Sequence, residues 1–107
     1  MTAAAKFGRR LRTVRKAHKL NIGLLAERAN TGVKHLGRIE RGEKQPSFEL
    51  IIALAQAMSV SPSTFFEFDP PQTDPKALRR QLDQLLENRG AGELLRAYRA
   101  LKAFFES

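Results

Sequence analysis

A chain of 107 residues and 12.0 kDa supports one small domain, with or without an appendage, rather than two independent cores. The absence of cysteine excludes a disulfide framework, a thiolate zinc site and a cysteine nucleophile, while 42% hydrophobic residues argue against wholesale disorder. No apolar run approaches the roughly 18 residues that a bilayer span needs, and the N-terminus lacks an apolar signal core. A cytoplasmic protein without membrane association is therefore expected.

The net charge of +8 is unevenly spread. Residues 1–44 hold 12 basic against 3 acidic side chains and residues 1–68 hold 12 against 5, whereas residues 69–107 hold 7 against 6. A basic part joined to a nearly neutral part points to a polyanion partner, nucleic acid first, for the basic part alone.

Apolar periodicity predicts helices throughout. Phe7, Leu11 and Val14 recur at i, i+4 and i+7, with Arg9, Arg10, Arg12, Arg15 and Lys16 on the other faces, giving a first helix from about Ala3 to His18. Asn21 is placed to cap a second helix whose apolar stripe is Ile22, Leu25, Ala26 and Ala29. Asn30 follows, and asparagine tolerates the left-handed conformation that stops a helix. The third helix is expected from about Gly32 to Arg41, burying Val33 or Leu36 together with Ile39 and closing at Gly42. The fourth opens at Pro46-Ser47 and runs from Phe48 to Met58, with Leu50, Ile51, Leu54, Ala55 and Met58 toward the core. Ser61-Pro62 starts a short fifth helix presenting Phe65 and Phe66.

Residues 69–75, rich in proline, read as a semi-rigid linker. Beyond it Asp74 and Pro75 start a sixth helix, Lys76 to about Arg89, carrying Leu78, Leu82, Leu85 and Leu86. After a break over Arg89-Gly90-Ala91-Gly92, a seventh helix from about Glu93 to Phe105 carries Leu94, Leu95, Tyr98, Leu101, Phe104 and Phe105. The reading is all-α: a five-helix domain over residues 1–68, the linker, and a helical hairpin over residues 76–107. A hairpin this small has too little interior to stand alone, so its apolar face needs the first domain or a second copy.

The second and third helices, joined through Ala29-Asn30-Thr31, have the lengths of a helix-turn-helix. Around them stand Arg15-Lys16, Leu25-Ala26, Ile39-Glu40-Arg41-Gly42, Pro46-Ser47 and the run Leu54-Ala55-Gln56-Ala57-Met58-Ser59-Val60-Ser61. In this register the segment from Phe7 to Phe66 resembles the lambda-repressor-like, or Xre-type, DNA-binding proteins of phages and bacteria. The resemblance implies that Val33 and Lys34 correspond to base-reading positions, that Lys44 and Gln45 lie where a loop meets phosphate, and that Arg15 and Glu40 pair internally. The sequence departs from the pattern at the entry to the second helix, where Ser/Thr-Gln is replaced by Asn21-Ile22 and a phosphate-gripping Gln is lost. It departs again at Gly32, which caps the recognition helix without a side-chain acceptor.

The chemistry of the residues stands beside that resemblance. A recognition helix offers polar side chains from its first turns to base edges, and the outward candidates here are Val33, Lys34, His35 and Arg38. Lys34 can donate to guanine O6 and N7, Val33 can touch only a thymine methyl, and Arg38 can reach a base or a phosphate. Phosphate contacts are expected from Asn21, Gly32, Lys44 and Gln45. His18, near the end of the first helix, reads as structural.

One recognition helix reads only a few base pairs, so a homodimer on a pseudo-palindrome is expected, acting as a transcription regulator, and a repressor by resemblance. Leu82, Leu85, Leu86, Leu95, Tyr98, Leu101 and Phe105 are the candidate dimerisation anchors. The competing reading is an antitoxin or phage-control interaction protein whose C-terminal helices bind a protein partner. An enzyme is not expected. There is no Gly-rich phosphate loop and no Ser/His/Asp set, and acids pair with bases at helical spacing, as Glu93 with Arg96. Two histidines without cysteine or paired acids give no metal site, and no cofactor is implied.

Overall fold

The computed structural model describes residues 1–68 and 73–106, and among these there is no strand. Its elements are α1 (Ala3–Ala17), α2 (Ile22–Arg28), α3 (Val33–Glu40), α4 (Phe48–Met58), a 3₁₀ helix (Pro62–Phe66), α5 (Pro75–Leu86) and α6 (Ala91–Glu106). The chain divides into two compact units, Met1–Asp69 and Pro70–Ser107. Of the expected linker over residues 69–75, residues 69–72 lie outside the described residues, and Pro75 is already the first residue of α5.

In the first unit, small polar side chains start α1, α2 and α4. The Ala5 N–H donates to Thr2 Oγ1 (3.0 Å), that of Leu24 to Asn21 Oδ1 (2.8 Å) and that of Leu50 to Ser47 Oγ (3.1 Å). All four helices end alike, on one left-handed residue: Lys19 (φ 57°), Asn30 (57°), Gly42 (76°) and Ser59 (55°). In each case the next N–H returns to a carbonyl five residues back: Leu20 to Arg15, Thr31 to Ala26, Glu43 to Arg38 and Val60 to Ala55. The asparagine at position 30 thus sits where the sequence places it, and α1 stops one residue before the expected His18.

The core collects Phe7, Leu11 and Val14 from α1, Leu25 and Ala26 from α2 with Ala29 just beyond it, Leu36 and Ile39 from α3, the inner face of α4, and Phe65. The choice left open for the third helix resolves toward Leu36, which is fully buried beside Ile39 while Val33 is 51% exposed. Phe65 is fully buried edge-on to Phe7, ring centroids 5.7 Å apart, and Phe66 covers the same ring from outside at 5.4 Å. Each fully buried aliphatic or aromatic side chain contributes about 2 kcal/mol of transfer free energy. Glycine sets how closely α1 meets α3. A methyl group on Gly8 would run into the Ile39 carbonyl oxygen and come within 2.6 Å of that of Glu40.

In the second unit α5 starts as expected, with Pro75 in its first turn and the Lys76 N–H on Asp74 Oδ1 (3.2 Å). It ends at Leu86, three residues before the expected Arg89, and Asn88 takes the left-handed conformation (φ 62°). The break therefore spans residues 87–90, and Gly92 lies inside α6. Arg89 joins the two helices, donating through Nε to the Leu85 carbonyl (3.1 Å) and through Nη1 to Glu93 Oε2 (2.9 Å). Glu93 is thus held by Arg89 rather than Arg96. No described residue of α5 or α6 is buried, and between them lies a groove of about 410 Å³ lined by Leu82, Leu85, Leu86, Ala97, Ala100 and Leu101.

Candidate nucleic-acid interface

The helix-turn-helix is built from α2, a tight turn and α3. Leu25 and Ala26 on one side and Leu36 and Ile39 on the other turn the inner faces of both helices into the core. This leaves the outer face of α3 and its C-terminal extension to water. On it stand Lys34, Arg38 and Arg41, spaced i, i+4 and i+7 and all exposed. Val33 opens the helix at their side, half in solvent. Gly32 occupies the cap with extended backbone (φ −82°, ψ 144°) and makes no side-chain cap hydrogen bond. Loss of that acceptor leaves the first N–H groups of α3 without a side-chain partner from the cap.

The other candidates take separate places. Asn21 is exposed, with its Oδ1 committed to the Leu24 N–H, so only its amide NH₂ is available for donation outward. Lys44 and Gln45 are exposed in the loop after Gly42, and Gln45 borders a shallow groove with Ala3, Ala4 and Pro46. His35 stands off the cationic face, half-buried in a groove formed with Asn30, Thr31, Ser47 and Glu49. His18 donates through Nδ1 to the Val14 carbonyl (2.9 Å), at the end of α1.

Behind α3 lies the pair that fixes its orientation. Arg15 donates through Nε to Glu40 Oε2 (2.7 Å) and through Nη2 to Glu40 Oε1 (3.0 Å), and its Nη1 reaches the Leu20 carbonyl (2.9 Å). The two side chains keep 11% and 6% of their surface. Hydrogen bonding to Glu40 raises the Arg15 guanidinium above its ordinary value, outweighing the opposing effect of burial. A planar guanidinium on a carboxylate fixes direction as well as distance, so α3 is tied to the end of α1 with its own outer face left free.

Two arginines carry roles that the sequence reading does not assign. Arg10 donates to the Thr64 carbonyl (2.8 Å) and to Glu67 Oε2 (3.0 Å), binding α1 to the 3₁₀ helix. Arg41 extends the cationic face, and its Nε donates to Glu43 Oε2 at 2.7 Å. The hydrogen bond and charge of Glu43 raise the Arg41 guanidinium, and Arg41 in turn lowers the Glu43 carboxyl, with the charge of Arg38 adding to that effect. The helical spacing from Lys34 was the available signal for Arg41.

Residues 11–65 match the model of the HTH_3 helix-turn-helix family. The chain belongs to this family of DNA-binding transcriptional regulators. The uncharacterized HTH-type transcriptional regulator YobD of Bacillus subtilis (strain 168) is 37% identical over 79 residues, which are 73% of this chain and 69% of YobD. Among solved structures, the restriction-modification controller protein C.AhdI of Aeromonas hydrophila superposes with a TM-score of 0.58 at 35% identity, covering 59% of this chain and 96% of C.AhdI. The clp gene regulator ClgR of Corynebacterium glutamicum gives 0.62 at 24% identity, over 81% of this helix-turn-helix protein and 93% of ClgR, and speaks to the fold alone. Among the described residues no helix is long and apolar enough to cross a membrane.

Proposed function

We propose that this helix-turn-helix protein is a repressor that reads a pseudo-palindromic operator as a homodimer held by its C-terminal helices. The observation that carries the reading is the division of α3: one edge packed and tied by Arg15 and Glu40, the other presenting Lys34 and Arg38 to solvent. Lys34 is assigned to a guanine edge, Val33 to a thymine methyl and Arg38 to a base or its phosphate, with His35 at the margin of the readout. Asn21, the Gly32 N–H, Lys44 and Gln45 are assigned to phosphates, which position the helix without selecting sequence.

Dimerisation is supported by surface chemistry. Leu82, Leu85, Leu95, Tyr98, Leu101 and Phe105 are all exposed large apolar side chains within one small helical unit. Such a concentration marks an association surface. Sedimentation equilibrium of the full chain tests this directly. A dimer in the absence of any other protein is expected. A monomer, or an aggregate dispersed only by a second protein, would replace the homodimer with the interaction-protein reading.

A further inference from the structure

The guanidinium of Arg41 does not extend straight into solvent. A methyl group placed on Gly37 would lie 3.1 Å from Arg41 Nη1 and 3.9 Å from Ile22 Cδ1, so the arginine folds back along α3 and, with Ile22, covers Gly37. It is held there by Glu43 at 2.7 Å, yet both side chains keep more than half of their surface, 60% and 51%. The carboxylate that holds it also feels Arg38, the next cation of the same face. Glu43 is therefore an internal anion set among the cations that are directed at DNA. Ile22, on the same side of α3, offers only methyl groups to a phosphate.

We propose that Arg41 is a backbone-phosphate ligand that Glu43 holds in the free protein and exchanges for a DNA phosphate on binding. The inference rests on the DNA-binding reading of α3. A carboxylate and a phosphodiester offer the guanidinium the same acceptor geometry, two oxygens in a plane, so the exchange requires no refolding. Exposure makes the exchange inexpensive, because an ion pair in water is weak and is readily traded for a denser anion. The ligand supplies at α3 a contact that Ile22 cannot make at the start of α2. It adds affinity without adding sequence preference.

The test is a double-mutant cycle on DNA affinity, with Arg41→Gln, Glu43→Gln and the double variant measured on a selected duplex and on one of random sequence at several salt concentrations. Arg41→Gln should weaken both duplexes alike, by about 5- to 10-fold, and lower the log–log salt slope by about 0.9, the value for one phosphate. Glu43→Gln should tighten binding severalfold, and that gain should largely vanish in the Arg41→Gln background. An unchanged salt slope in Arg41→Gln would reduce the pair to surface decoration and overturn the proposal. A loss confined to particular base pairs would make Arg41 a base reader and overturn it equally. An undiminished Glu43→Gln gain without Arg41 would mean simple repulsion between an acid and DNA, and no exchange. Thermal melts of the variants serve as the folding control. If wild type itself fails to bind either duplex, the DNA-binding reading falls first; if wild type binds and only the cycle fails, the exchange alone is wrong.

Discussion

At the residue scale, Arg15 and Glu40 show how a buried charged pair orients a helix from behind while its outer face stays in solvent. Both are largely buried, and each satisfies the other through two hydrogen bonds. Removing one partner strands the other. Glu40→Ala should therefore destabilise the first unit by about 3 kcal/mol, read from urea unfolding. A cost under about 0.5 kcal/mol would mean that solvent replaces the pair. Lys34 belongs to the opposite category, exposed on the outer face of α3. Lys34→Ala should leave stability within about 0.5 kcal/mol of wild type and weaken binding at one or two base positions. Equal weakening on every duplex would reassign Lys34 to a phosphate. The partnership of Arg15 and Glu40 was legible only through family resemblance, because 25 residues separate them and no local spacing connects them. That of Arg41 and Glu43 is only two residues long and was still missed. Its meaning depends on where the guanidinium folds, which periodicity does not specify.

At the element scale, the apolar stripes of α1, α2 and α4 were readable because each repeats over two or more turns, and the residues they named lie in the core except Ile22, which stays half-buried at the start of α2. Helix ends were less legible. Asn30 and Gly42 announce themselves as left-handed stops, whereas Lys19 and Ser59 adopt the same conformation with no compositional signal. A left-handed lysine carries strain of about 1–2 kcal/mol that glycine avoids, partly offset by the greater entropy glycine loses on folding. Lys19→Gly should accordingly stabilise the first unit by about 0.5–1 kcal/mol, a rise of several degrees in Tm for a unit of this size. A fall in Tm would show that the lysine side chain contributes more than its backbone costs. Gly8 was invisible for the complementary reason: a glycine inside a helix signals weakness by propensity, and only the approach of α3 explains it. Gly8→Ala should destabilise by about 3 kcal/mol despite its better helix propensity, because the obstructing atoms are backbone carbonyls that cannot rotate away.

At the scale of the whole molecule, two units meet different demands. The first closes a core around Phe65, Leu11, Leu25, Leu36, Ile39 and Leu54, each at most 1% exposed. The second has amphipathic helices, and none of its described residues is buried. Deletion of residues 74–107 should leave a cooperatively folding, monomeric first unit, whereas an unfolded truncation would show that the C-terminal helices complete its core. The sequence made the second unit's helices legible but displaced their break, since Gly92 reads as a terminator and is accommodated within α6. If two copies of α3 read DNA together, selection of bound duplexes from a random pool will return a palindrome. The winner is titrated against a scrambled duplex across a salt series. A palindromic winner, bound about 10³-fold or more above the scrambled duplex, is the predicted result. Equal binding to all duplexes, collapsing together as salt rises, would contradict it and leave the cationic face as a nonspecific polyanion surface.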